Sequence, residues 1–204
     1  MFKIIRSEKL SDVIYLFEVE AKRVAKACLP GQFVIVRQDE DSERIPLTIC
    51  DYDAVKGTVT IVVQTIGAST NTMKNLKAGD FFRDFVGPLG QPSEFVHMSK
   101  EELSKESIIF VAGGLGTAPV YPQVKWLSEN GIKADVIIGA KTKDLVIYEE
   151  EMKKVAGNVY VTTDDGSYGR SGMVTKTLTD LVKEEGKNYT KCVAIGPMIM
   201  MKFV

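Results

Sequence analysis

Seven residues, Gly113-Gly114-Leu115-Gly116-Thr117-Ala118-Pro119, have the types and spacing to cradle an anion. Glycine at 113, 114 and 116 lets the main chain take positive φ and come close to a ligand. The first free N–H groups of a helix beginning there present partial positive charge. A nucleotide pyrophosphate suits such a cradle. The pattern departs from the dinucleotide fingerprint Gly-x-Gly-x-x-Gly, because Pro119 stands where the third glycine belongs, and a sharp strand-to-helix turn would use the same residues. Ahead of the glycines, Ile108 to Val111 form the unbroken apolar run expected of a strand buried on both faces.

The elements that must position this loop follow from periodicity. Val120, Val124 and Leu127 recur at helical spacing, with Pro119 and Pro122 confined to the first turn or so, and Trp126 lies on the neighbouring face. Lys133 to Gly139 reads as a second strand, Leu145 to Val155 as a helix with Glu149, Glu150 and Glu151 facing solvent, and Asn158 to Thr163 as a third strand. Ser171 is placed to cap a helix in which Val174, Leu178, Leu181 and Val182 share a face, and Thr190 to Gly196 reads as a fourth strand. Strands alternating with helices predict a doubly wound parallel sheet.

In such sheets ligands bind beyond the carboxyl ends of the strands. That rule selects Gly113 to Pro119, Gly139-Ala140-Lys141, Thr163-Asp164-Asp165-Gly166-Ser167 and Gly196-Pro197-Met198, four clusters of turn chemistry on one edge. No acidic residue ends the second strand, so a preference for NAD or NADP is not readable there. Lys141 can meet a phosphate or simply face water.

The first half carries strand signals. Val13 to Val19 and Phe33 to Val36 are rich in β-branched and aromatic residues, with Pro30-Gly31 as a turn between them. Thr58 to Thr65 alternates, with Val59, Ile61 and Val63 toward a core and Thr58, Thr60, Val62 and Gln64 mainly on a wetter face. Six or so strands and one short helical candidate, Ser69 to Leu76, predict a small antiparallel barrel. In Arg44-Ile45-Pro46-Leu47-Thr48-Ile49, alternation sets Arg44, Pro46 and Thr48 on one face; Pro46 belongs on an edge or where pairing stops, which leaves neighbouring backbone groups for a ligand. An edge strand with one surface arginine has the same pattern. In Gln64 to Thr72, Ser69 or Thr70 is placed to cap the short helix, and its N-terminus to receive an anion. Gly87-Pro88 and Gly90 mark a closing turn. The polar run that follows, with Ser99 to Glu106 as a solvated turn, places a domain boundary near residues 98 to 106.

Composition bounds the rest. The chain has 204 residues, 45% apolar and 26% charged, with a formal net charge of −1, which offers no nucleic-acid or membrane surface and predicts a cytoplasmic protein. The three cysteines, Cys28, Cys50 and Cys192, form no Cys-x-x-Cys pair and read as small buried hydrophobes, not a disulfide framework or metal site. The single histidine, His97, has no partners for a catalytic triad.

A small antiparallel barrel followed by a doubly wound domain, with Arg-x-Pro-Leu-Thr in the first and Gly-Gly-x-Gly-x-Ala-Pro and Gly-Pro-x-x-Met in the second, resembles the ferredoxin-NADP reductase-like flavoproteins. Arg44 to Thr48, Asp84 to Gly90 and Ala194 to Met200 look most like one branch. It holds the FAD-bearing small subunits of NADH-dependent reduced ferredoxin:NADP oxidoreductase, or sulfide dehydrogenase, and the electron-transfer subunits of dihydroorotate dehydrogenase. The resemblance implies a six-stranded FAD-binding barrel over residues 1–100 and an NAD(P)-binding α/β domain over residues 101–204, C-terminally incomplete. It places FAD against Arg44, Pro46, Leu47, Thr48, Val62, Gln64, Gly67, Ser69 and Thr70, with Thr48 near flavin N5. NAD(H) or NADP(H) falls to Gly113, Gly114, Leu115, Gly116, Thr117, Ala118 and Pro119, to Gly139, Ala140 and Lys141, to Asp164, Asp165 and Gly166, and to Gly196, Pro197 and Met198, the last three near the nicotinamide. Hydride transfer between the two cofactors needs no catalytic dyad. Electrons would then pass to an iron-sulfur centre, a larger oxidoreductase subunit and a ferredoxin-type carrier. A [2Fe-2S] cluster expected in longer relatives has no ligands here, because no cysteine has ligand spacing, and the chain reads as lacking that tail. A free-standing NAD(P)H:flavin reductase and a nucleotide-binding regulatory subunit are the alternatives.

Overall fold

The computed structural model describes residues 1–204, which divide into two compact units, Met1–Val96 and His97–Val204. The first unit is built from β1 (Phe2–Ser11), β2 (Ile14–Glu20), α1 (Lys22–Ala27), β3 (Phe33–Arg37), β4 (Ile45–Asp53), β5 (Thr58–Gln64), α2 (Ala68–Met73), β6 (Phe81–Phe82) and β7 (Asp84–Leu89). These strands form one antiparallel sheet in the order β6-β1-β2-β5-β4-β3-β7. β6 and β7 are one run of chain broken only at Arg83. Its first part pairs with β1 and its second with β3, so the two ends of the sheet meet in a near-closed barrel of six strand runs.

Alternation fills the barrel. Ile4, Phe17, Val19, Val34, Val36, Ile49, Val59, Ile61, Val63, Phe82 and Phe85 point inward and are buried, with Phe17 and Phe82 edge to face at 5.8 Å between ring centres. Val62 and Thr58 are buried too, so the second face of β5 is drier than its alternation suggests. Two readings are corrected here. Lys22–Ala27 is a second helix, too short for a periodic signal, and it tucks Val24, Ala25 and Cys28 into the core. Gly87-Pro88 ends no strand; β7 runs through it with a one-residue shift of register against β3, and a side-chain carbon on Gly87 would meet Val34 at 2.7 Å.

The second unit contains α3 (Lys100–Ser104), β8 (Ile108–Gly113), α4 (Thr117–Glu129), β9 (Asp135–Ala140), α5 (Glu149–Val155), β10 (Val159–Thr163), β11 (Arg170–Ser171), α6 (Val174–Lys183), β12 (Lys191–Ile195) and α7 (Met198–Phe203). Its five strands are all parallel, in the order β11-β10-β9-β8-β12. Ile109, Val111 and Ile137 pack with Val174 and Leu181 of α6 and with Met200 of α7, while α4 and α5 pack together, so both faces of the sheet are covered. No helix is long and apolar enough to cross a membrane.

Several local expectations change. Ser99 to Glu106 is not a plain turn: Ser99 caps α3 in a reciprocal pair with Glu102, and Leu103 is buried beneath. The helix of 145 to 155 begins only at Glu149, because Tyr148 takes a left-handed φ of 62°. Glu149 does not simply face solvent; it accepts from the Tyr168 hydroxyl at 3.1 Å and from Lys153 at 2.7 Å. Pro122 lies in the second turn of α4. Ser171 belongs to β11, and the residue before α6 is Met173. Val182 is exposed, and Thr177 takes the buried position on that helix face. Cys192 is exposed, because β12 is an edge strand.

At the amino ends of the parallel strands, the Asp135 carboxylate is buried and satisfied. It accepts from the Asn158 N–H at 3.0 Å, the Asn158 amide at 2.8 Å and the Tyr189 hydroxyl at 2.7 Å. Burial and then Asp135 itself push the Tyr189 phenol well above its ordinary range. Asp135→Ala strands these donors and should cost about 2 kcal/mol or more, read from the urea midpoint; a loss below ~0.5 kcal/mol would contradict the network. Burial pushes the Cys28 thiol up to about 12, and Cys50 is fully buried. An aromatic disulfide reagent should therefore titrate one thiol, Cys192, in the native protein and three in urea; two or more fast native thiols would contradict this packing.

Candidate functional site: an open strand edge and a glycine turn

In the first unit the site begins where a ladder stops. β4 pairs with β3 through Ile45, Pro46, Leu47 and Thr48, but with β5 only from Ile49 opposite Ile61 onward. The Ile49 N–H donates to the Gln32 carbonyl on the β3 side. Since successive N–H groups alternate sides, the nitrogens of Pro46 and Thr48 face the side that β5 has left. Pro46 has no hydrogen to lose there, which is why it is tolerated inside a central strand. Continuing the register would set Thr48 opposite Val62 and Pro46 opposite Gln64, and those pairs are not made. The two strands thus fork, with Arg44, Pro46 and Thr48 exposed on one prong. On the other prong Gln64 is half-buried, and the Val62 side chain is buried, so only its main chain is offered to the fork.

Past β5 the chain turns into α2, whose cap is Gly67 and not Ser69 or Thr70. Thr70 reaches back from the third helical position: its hydroxyl accepts from the N–H groups of Ile66 and Gly67, each at 3.1 Å. Those donors are therefore not open to an anion. Ser69 donates to Glu43 at 2.7 Å and Thr72 to Gln38 at 2.9 Å, which ties the loop before β4 to this helix. Arg44 is held from the opposite direction. One oxygen of Asp84 receives Arg44 Nη2 at 3.1 Å and lies 2.7 Å from Arg37 Nε, the latter without the alignment of a hydrogen bond. These arginines, Arg37 foremost, hold the Asp84 carboxyl below its ordinary range. Arg37, Asp84 and Glu43 were not singled out from sequence, because only strand pairing and loop closure bring them to the fork.

In the second unit the four clusters share one edge. Parallel registers match Gly113 with Gly139, Ala140 with Thr163 and Ile195 with Ala112. The chain steps from β8 outward through β9, β10 and β11, then returns to β12 on the other side of β8, so the reversal lies between β8 and β12. The glycines there have separate reasons, which corrects the reading of all three as flexible. Only Gly114 has positive φ, 55°, and it faces open space. A side-chain carbon on Gly116 would collide with the Ile195 carbonyl, and one on Gly113 with the Met200 sulfur. Thr117 is buried and donates to the Gly114 carbonyl at 3.0 Å, fixing the turn before α4, while Ala118 is buried and Pro119 and Leu115 are half-buried.

The remaining loops are joined by main chain. The N–H groups of Asp164 and Asp165 donate to the carbonyls of Ala140 and Lys141, at 3.0 and 3.2 Å. The Asp165 carboxylate takes the hydroxyl of Ser167 at 2.6 Å and its N–H at 2.9 Å, which hold the carboxyl below its ordinary range. Asp165 thus shapes its own turn, with Gly166 at φ 71°. Asp164, Lys141, Pro197 and Met198 are exposed at this edge, and Gly196 packs against Gly113. No three His, Cys, Asp or Glu side chains are grouped as a metal site.

Comparison with known proteins agrees with this architecture. Residues 110–204 match the oxidoreductase NAD-binding domain family. The chain is 38% identical over 201 residues to a dihydroorotate dehydrogenase B (NAD+) electron transfer subunit homolog of Thermotoga maritima, covering 98% of this chain and 68% of that protein. It is 57% identical over 203 residues to an uncharacterized Clostridium beijerinckii protein encoded in the adh 3′ region, covering 100% of this chain and 69% of that one. A solved structure of NADH-dependent reduced ferredoxin-NADP oxidoreductase, described for flavin-based electron bifurcation, superposes with a TM-score of 0.85 at 36% identity, over 100% of this chain and 70% of that chain.

Two half-buried glycines of this turn separate packing from conformation. Gly116→Ala should destabilise by about 2 kcal/mol through backbone collision, and Gly114→Ala by about 1 kcal/mol through its left-handed φ alone. Urea midpoints check this, and an equal or reversed order would contradict the assignment.

Proposed function

The chain belongs to the ferredoxin-NADP reductase-like family of electron-transfer flavoprotein subunits, with the dihydroorotate dehydrogenase B electron transfer subunits among its relatives, and on that premise we propose that it moves a hydride between NAD(H) or NADP(H) and FAD and passes electrons onward. The observation that carries the reading is the β4–β5 fork. It is a strand edge released from its ladder in the middle of a barrel, with an exposed hydroxyl and a backbone N–H on Thr48 directed to the released side.

The residues fit a flavin dinucleotide. The edge over Pro46, Leu47 and Thr48 would offer main-chain hydrogen bonds to a flavin ring, with the exposed Pro46 and Thr48 side chains on the same face and the Thr48 hydroxyl as the group that would serve flavin N5. Arg44 supplies positive charge for phosphate, and the Val62, Gln64 and Gly67–Thr70 main chain borders the rest. Ser69 must exchange its bond to Glu43 to take part. FAD, when bound, supplies hydride exchange with a nicotinamide and one-electron release, chemistry that no side chain performs. The protein's part is to bind, orient and exclude water. At the second edge, Gly113 to Pro119 would receive a pyrophosphate at the start of α4, a reading supported by the open space beside Gly114. Lys141, exposed just past the buried Gly139 and Ala140, and Asp164 to Gly166 would border the nucleoside, and Gly196 to Met198 the nicotinamide. The assembly reading adds an iron-sulfur acceptor in a larger oxidoreductase and a ferredoxin-type carrier.

Purified protein incubated with FAD should stay yellow through gel filtration, and anaerobic NADH or NADPH should bleach it. Protein that emerges colourless, or stays yellow with both nucleotides, would contradict the proposal; rapid loss of flavin with turnover intact would instead favour a reductase that treats flavin as a diffusible substrate.

A further inference from the structure

We propose that Asp84 is a positioning residue: its carboxylate holds the Arg44 guanidinium at the mouth of the β4–β5 fork, so that the remaining N–H groups of Arg44 face the diphosphate of a bound flavin dinucleotide. The inference rests on the reading that FAD occupies the fork.

Three adjacent strands build the arrangement. Arg44 immediately precedes β4, Arg37 ends β3 and Asp84 begins β7, and the order β4-β3-β7 sets these three ends side by side. Arg37 and Asp84 are partners across the β3–β7 ladder. The Arg37 side chain is 17% exposed and its Nε lies 2.7 Å from the same carboxylate oxygen, an ion pair that draws Asp84 toward the end of β3. Arg44 is 59% exposed and would otherwise sample many rotamers. A tether at one nitrogen removes much of that freedom and leaves further donors in the planar fork for an anion. The neighbouring Arg83 is taken by Glu40 at 2.7 Å and Asp39 lies within electrostatic reach of Arg37, so the donors open to an anion here are those of Arg44 that Asp84 does not engage. The bonds from Ser69 to Glu43 and from Thr72 to Gln38 keep the loop between Arg37 and Arg44 from drifting.

Coulomb attraction alone gives the opposite expectation. Neutralising Asp84 adds one positive charge near the phosphates and should tighten FAD, whereas loss of a tether should weaken it. The test uses dissociation constants for FAD and for riboflavin, which lacks phosphate, measured by flavin fluorescence on wild type, Asp84→Asn, Arg44→Gln and the double variant. Asp84→Asn should weaken FAD on the order of tenfold, leave riboflavin unchanged, and have no weakening effect once Arg44 is glutamine; Asp84→Glu should restore most of the loss. Unchanged or tighter FAD binding in Asp84→Asn would overturn the inference. So would an equal loss for riboflavin, or a loss that persists in the Arg44→Gln background. Wild-type protein that binds neither flavin would overturn the underlying FAD reading instead, before any variant is compared.

Discussion

The first unit depends on one release of pairing: β4 keeps β3 and lets go of β5 before Ile49. A barrel is stable because every strand edge is paired, and an unpaired stretch in its wall costs hydrogen bonds unless something answers them. Here the cost is limited by composition. Pro46 has no N–H to lose, and the outward side chains of Arg44, Pro46 and Thr48 are already solvated. The inward Ile45, Leu47 and Ile49 continue to pack on the core, so the wall opens at its outer surface without loosening its interior. Everything proposed for the flavin follows from that separation of an intact inner face from an open outer edge.

The second unit meets a different constraint, close packing at a reversal of strand order. The loop after β8 and the turn after β12 approach so tightly that Gly113, Gly116 and Gly196 each lack room for a side chain. Small residues here let the start of α4 descend beside β12, and Met200 of α7 seals the contact. Gly114 alone is left-handed with open space beside its α-carbon, where a ligand can approach its main chain. Rigidity in three glycines thus supports access at the fourth.

Sequence made much of this legible wherever a signal is local. The apolar run Ile108 to Val111 is a strand buried on both faces, and the alternation in Arg44 to Ile49 places each side chain on the face that it occupies. The four turn clusters share an edge because strand and helix alternate, which is a local pattern with a global consequence. What was not legible depends on contacts distant in sequence. The Arg37–Asp84 partnership, the Ser69–Glu43 bond and closure of the barrel through the broken β6–β7 run are properties of pairing, invisible in any single stretch. Short elements failed for a related reason: α1 and α3 span six and five residues, too few for a period to show, and tertiary packing of Val24 and Leu103 decides them. Gly87-Pro88 reads as a turn because both residues favour one, yet the ladder to β3 overrides that preference.

The central claim is that the released edge of β4 is the flavin seat. It is tested most directly by crystals of the FAD-loaded protein: the account predicts density for the isoalloxazine along Pro46, Leu47 and Thr48, with a hydrogen bond from the Thr48 main chain or hydroxyl to the ring. Flavin density elsewhere, or a β4 edge closed by renewed pairing with β5, would contradict it.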